Sequence, residues 1–113
     1  MKARDLINHN ESAIAIFTDG THLHMNADGT GTTGYWVIHP ERTVDKVIIY
    51  HRRQSGDAND IYIGNYLNVT ASPEEGRYNI NLTGLRLVDS TTANWHEFAE
   101  SGANPIRYFE ESK

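Results

Sequence analysis

An α+β fold, mostly β, is predicted for this chain: an antiparallel β-sheet of about six strands with one or two short C-terminal α-helices. Three observations carry the prediction. Runs of β-branched and aromatic residues recur along the chain, separated by clusters of Gly, Pro, Asn, Asp and Ser. Two of those runs, residues 47–52 and 61–69, flank the turn-forming cluster 54–59 and read as a hairpin with a basic rim at His51, Arg52 and Arg53. Only one stretch, from Ser90 onward, carries helix-start chemistry.

Taken in order, residues 2–10 are polar apart from Leu6 and Ile7 and fit an arm, a helical turn or an edge strand equally. Residues 13–18 read as a first strand, Asp19-Gly20 as a turn, and residues 21–26 as a short return strand that makes a small hairpin with the first. Residues 27–34 contain Gly29-Thr30-Gly31-Thr32-Thr33-Gly34, which matches G-x-G-x-x-G. That spacing has a phosphate-binding meaning only between a strand and a helix, and the residues after it, 35–39, read as a strand closed by Pro40. The stretch is therefore predicted to be a Gly/Thr turn.

In the central hairpin, alternation places Val47, Ile49 and His51 on one face and Ile48, Tyr50 and Arg52 on the other. Both faces are apolar, so the pair is predicted to be central in its sheet. Residues 72–76, SPEEG, form a strong turn before a long strand over 77–88. Tyr78, Ile80 and Leu82 keep one phase, whereas Leu85 and Leu87 resume one residue later. An extra residue at Gly84, a β-bulge, would return both sets to the core face. Asn94 and Glu97 then have capping-box spacing, Trp95, Phe98 and Ala99 share a helical face, and Gly102 marks a stop. Pro105 forces Asn104 to be extended before residues 106–109 return to the body of the protein, and the acidic tail is expected to fray.

At 113 residues the chain is long enough for one core, so residues 1–113 are read as a single ligand-binding domain. Fifteen acidic against ten basic residues give a net charge of -5, which argues against binding long nucleic acid through its backbone. Seven of the ten basic residues are Arg, the side chain suited to bidentate contact with phosphate or carboxylate. With no Cys, disulfides, zinc-thiolate sites and thiol catalysis are excluded. No apolar run approaches the roughly 20 residues of a membrane helix, so the expectation is a protein without membrane contact that stays in the compartment where it is made. The sequons at Asn10, Asn68 and Asn81 are read as chance.

His22 and His24 would share a strand face, with His39, Asp19 or Asp28 as further metal ligands, but two imidazoles on a hairpin do not make a site, and no metal or cofactor is expected. Scattered carboxylates offer no acid–base pair, and the expectation is a protein that is not an enzyme, with no catalytic residues. Arg and aromatic residues are interleaved instead. Arg52, Arg77 and Arg107 are the candidates for phosphates, Trp36, Tyr66 and Tyr108 for a base, and Asn79 and Asn104 for ribose or base edges. Each aromatic has the alternative role of an ordinary sheet residue. Arg77, Asn79 and Asn81 in phase make a polar surface that faces solvent or lines a pocket.

The phrases TGYWVI, DKVIIYHR, NDIYIGNY, GRYNINLTGL and NWHEFAESGANPIRYF resemble the first-described Thoeris anti-defence family of phage proteins, over about Ile14 to Phe109. The resemblance implies a compact domain with a mostly antiparallel sheet, assembling as a homodimer or a multiple of dimers in the bacterial host cytoplasm during infection. It further implies a sponge that captures a cyclic ADP-ribose-type signalling nucleotide, glycocyclic ADP-ribose, without cleaving it. Some members of that family also hold a cyclic oligonucleotide at a second site, which would extend the effect to CBASS-type immunity. Two other classes fit the same residues: a small β-rich reader of nucleic acid or modified bases, and a nucleotide-processing enzyme using His22, His24, His39 or His51.

Overall fold

In the computed structural model, residues 2–8, 10–19, 23–53, 58–100, 102 and 104–109 are described. They form one seven-stranded sheet in the order β2-β3-β6-β5-β4-β1-β7. The strands are β1 (Ala13–Thr18), β2 (Leu23–Met25), β3 (Gly31–Trp36), β4 (Lys46–Arg52), β5 (Asn59–Ala71), β6 (Tyr78–Thr91) and β7 (Ile106–Phe109). A 3-10 turn over Ala3–Leu6 precedes them, and a short helix, α1 (Trp95–Ala99), stands between β6 and β7. The fold is mostly β, as predicted. Among the described residues no helix is long and apolar enough to cross a membrane.

The central hairpin is β4 paired with β5, with Ile48 opposite Ile63 and Tyr50 opposite Ile61. Burial of β4 on both faces follows from its place between β5 and β1. On one face Ile48, Tyr50, Ile61 and Ile63 pack with Ala13, Ala15, Phe109 and the Trp95, Phe98 and Ala99 side of α1. Tyr50 is the hub of that layer, stacked on Phe17 at 5.6 Å and meeting Trp95 edge-on at 5.7 Å, while its hydroxyl donates to the Ala93 carbonyl at 2.6 Å. On the other face Ile14, Ile16, Val47, Ile49, Trp36, Ile80, Leu82 and Leu85 form a second layer. The 37–45 connection reaches across this face, packing Ile38 and Val44 on it and setting the Arg42 guanidinium 3.9 Å from the Tyr108 ring centroid.

Helix α1 is capped as expected: the Asn94 side chain accepts from the Glu97 backbone N–H at 2.9 Å. It ends before the expected Gly102, because Glu100 takes the left-handed conformation at φ 54°. That strained C-cap for a side-chain-bearing residue is accompanied by ion pairs from Glu100 to Lys2 and Arg4 of the N-terminal turn.

Four expectations need correction. The sheet is mixed, since β1 runs parallel to β4. The 13–18 strand does not pair with the described part of the expected 21–26 return strand: β2 pairs with β3 at the opposite side of the sheet, and β1 lies between β4 and β7. The strand expected at 35–39 lies earlier, at Gly31–Trp36, so the Gly/Thr run is itself a strand and the turn is confined to Asn26–Thr30. The reason is close packing. A Cβ on Gly31 would come 2.5 Å from the Leu85 side chain and 3.0 Å from the His24 carbonyl, so glycine lets β3 approach β6 and β2 closely there without displacing either. Finally, the irregularity at Gly84 is present, with φ +58° and a register shift opposite Gly64, and it does return Leu85 to the core. Leu87 stays 56% exposed, because β3 pairs only with the first part of β6 and a further register shift follows at Val88. Residues 54–57 of the expected 54–59 turn cluster, and Gly20 of the expected Asp19-Gly20 turn, lie outside the described residues.

Candidate functional site

The β2–β3 hairpin and the start of β6 build an open trough of about 600 Å³, lined by Leu23, His24, Thr32, Gly34, Tyr35 and Asn79. Strand alternation explains its chemistry. Ile80 and Leu82 turn into the second apolar layer, so Asn79 and Asn81 are presented on the opposite side of β6. Thr32 lies opposite Asn81 and His24 lies opposite Thr32, which continues the polar row across three strands.

Asn81 is fully engaged in that row. Its Oδ1 accepts from the Thr32 hydroxyl at 2.9 Å, and its Nδ2 donates to Asn68 Oδ1 at 2.7 Å and to Thr70 Oγ1 at 3.3 Å. Asn79 is different: its carboxamide makes no hydrogen bond among the described residues. It lies against Gly34, where any Cβ would collide with Oδ1. Arg77 is tied to the same site, since its Nη1 donates to the Tyr35 carbonyl at 3.2 Å while its Nε lies 3.3 Å from the Glu74 carboxylate. Both partners of that ion pair are well exposed, so it costs little to rearrange.

The hairpin carrying the trough is fixed at its tip. Asp28 accepts from the Thr30 N–H at 3.0 Å and from the Thr30 hydroxyl at 2.6 Å, and Gly29 supplies the φ of +88° that the turn needs. Those bonds from Thr30 hold the Asp28 carboxyl below its ordinary range, because they favour the charged form.

The eight residues nominated from sequence are not gathered at one place. Asn79 lines the trough and Arg77 borders it. Arg52 and Arg77 lie at opposite ends of the β5 strand, Arg52 opposite Asn59 and Arg77 just beyond the Ala71–Tyr78 pair. Arg107 is opposite Ala15 on the helix-covered face, with its guanidinium 5.1 Å from the Phe109 ring centroid. The three arginines therefore do not converge. Trp36 is a core residue, only 8% exposed, whose indole N–H donates to the Thr33 hydroxyl at 3.0 Å. Tyr66 and Tyr108 come near each other on the second face, and Tyr66 has its phenol pushed up in pKa by burial and by the neighbouring Tyr108. Asn104 shapes the backbone: its Oδ1 accepts from the Ile106 N–H at 3.0 Å and its carbonyl accepts from the Trp95 indole at 2.9 Å.

Gly34 and Tyr35 were not singled out from sequence, although the Gly/Thr run and the in-phase Asn79 and Asn81 were. His22 is outside the described residues, and among the described residues no three His, Asp or Glu side chains form a metal-holding group. His51 bonds the buried Thr18 hydroxyl through Nδ1 at 2.6 Å, and His24 lines the trough. A smaller cavity of about 390 Å³ lies between the N-terminal turn and α1, lined by Lys2, Ala93, His96, Glu97 and Glu100.

Compared with protein-family models, curated proteins and solved structures, the chain matches none. The functional reading rests on the trough.

Proposed function

We propose that this chain captures a small cyclic ADP-ribose-type signalling nucleotide in the β2–β3–β6 trough and holds it without cleaving it. The observation that carries the reading is the trough itself. Its volume of about 600 Å³ lies within the range of small-ligand sites, and Asn79 offers it a carboxamide with no other hydrogen bond among the described residues. Tyr35 and His24 supply ring surfaces, and Arg77 at the rim supplies a planar cation for phosphate. In this reading the protein is a sponge and not an enzyme. It would remove the signal of a Thoeris-type defence from the host cytoplasm and act as a homo-oligomer built from dimers, the role that the family resemblance implies.

The test is capture and release. Purified protein is mixed with glycocyclic ADP-ribose and filtered, free ligand is assayed, and the assay is repeated after heat denaturation of the protein. Ligand that disappears and returns unchanged is the expected result. Ligand that returns altered means turnover, with His24 as the first residue to substitute, and ligand that never leaves solution removes the proposal.

A further inference from the structure

We propose that the trough reads the edge of a 6-aminopurine and that Asn79 is the residue that reads it. This deepens the capture reading above and rests on it. Two asparagines stand two residues apart on β6 and have opposite fates. Asn81 is knitted into the row of Thr32, Asn68 and Thr70, and its amide has both its oxygen and its nitrogen committed. Asn79 has the same strand phase, lines the open trough, and commits neither atom among the described residues.

A carboxamide presents an acceptor and a donor side by side. That pattern matches the N6 amino group and N7 of adenine, which the amide can bond at once, Oδ1 accepting from N6–H and Nδ2 donating to N7. A 6-oxopurine places acceptors at both positions, so either orientation of the amide leaves one acceptor facing another. Gly34 makes the arrangement sterically accessible: the carboxamide rests on its bare Cα, and a methyl group there would push Asn79 off its seat. Ring surfaces from Tyr35 and His24 line the same trough and suit a planar base, which stacks without regard to sequence and leaves discrimination to the amide.

The experiment compares glycocyclic ADP-ribose with its hypoxanthine counterpart, which carries a 6-oxo group in place of the 6-amino group, by equilibrium titration against the full chain. The wild-type protein should bind the adenine form roughly tenfold or more tightly, in line with bidentate base discrimination. In Asn79→Ala that preference should collapse to within about twofold, chiefly through weaker binding of the adenine form. Asn79→Asp, close in shape but unable to donate to N7, should bind the adenine form more weakly than wild type while its carboxylate still accepts from N6–H, and a urea midpoint equal to wild type shows that both variants are folded. Equal binding of the two ligands by the wild type, a preference retained in Asn79→Ala, or an undiminished affinity of Asn79→Asp for the adenine form overturns the base-reading role and leaves nucleotide capture standing. Binding of neither ligand overturns both.

Discussion

The helix-covered half of the sheet and the β2–β3–β6 half are built from different materials. Around β4, β1 and α1 the chain places Ile, Phe, Tyr and Trp. Ile48, Ile61 and Phe98 are fully buried there, and the polar tips of the aromatics find partners, Tyr50 at Ala93 and Trp95 at Asn104. Around β2, β3 and the start of β6 it uses Gly, Thr and Asn on the outer face, and the result is an open trough with an idle amide. The first half contributes the stability that the second half, with one apolar layer and one polar face, cannot supply alone.

The largest effect should come from breaking the first half. Phe98→Ala should lower unfolding free energy in urea by about 3–5 kcal/mol, as truncation of a buried aromatic does, and should weaken ligand binding only as far as the fold is lost. Next is Gly31→Ala, which forces a methyl group against Leu85 and the His24 carbonyl. It should cost about 1–3 kcal/mol by overpacking and loosen the hairpin that carries the trough. Asn94→Ala removes the bond to the Glu97 N–H and should cost about 0.5–2 kcal/mol, read in the same urea titration, with no change in ligand affinity.

Acid and alkali should act at different places. Burial pushes the phenols of Tyr50, Tyr62 and Tyr66 above the ordinary tyrosine value of 10.0. The folded state thus binds their protons more tightly than the unfolded chain. Their contribution is complete below pH 10 and is lost as pH rises through the raised folded values. Asp28 has the opposite sign: its folded pKa is depressed by Thr30, so its contribution is present above the ordinary value of 3.8 and is lost as pH falls through the lower folded value. Tyr50→Phe should flatten part of the alkaline loss of stability, and Thr30→Val should flatten a small acid loss without touching the alkaline one.

The first half was largely legible in the sequence. The β4–β5 pairing, the apolar burial of both β4 faces, the Asn94 cap and the Gly84 irregularity all follow from local pattern, because alternation and capping act over a few residues. What was not legible depends on distant neighbours. Nothing in residues 13–26 indicates that β1 would pair in parallel with β4 while β2 crosses to the other side of the sheet. Gly31 and Gly34 read as turn residues until Leu85 and Asn79, about fifty residues later in the chain, are seen packed against them. For the same reason Arg52, Arg77 and Arg107 could be chosen by chemistry but not by position. Asn79 was found because its phase with Asn81 is local, and Tyr35 was missed because its role depends on the trough.

The most direct measurement is a map of backbone amide chemical shifts on adding glycocyclic ADP-ribose to the full chain. The account predicts the largest shifts at His24, Thr32, Gly34, Tyr35, Asn79 and Asn81, with those of α1 and β7 nearly unmoved. Shifts centred on Arg52, Arg107 and α1, with the trough silent, would contradict it and assign the nucleotide to the helix-covered half.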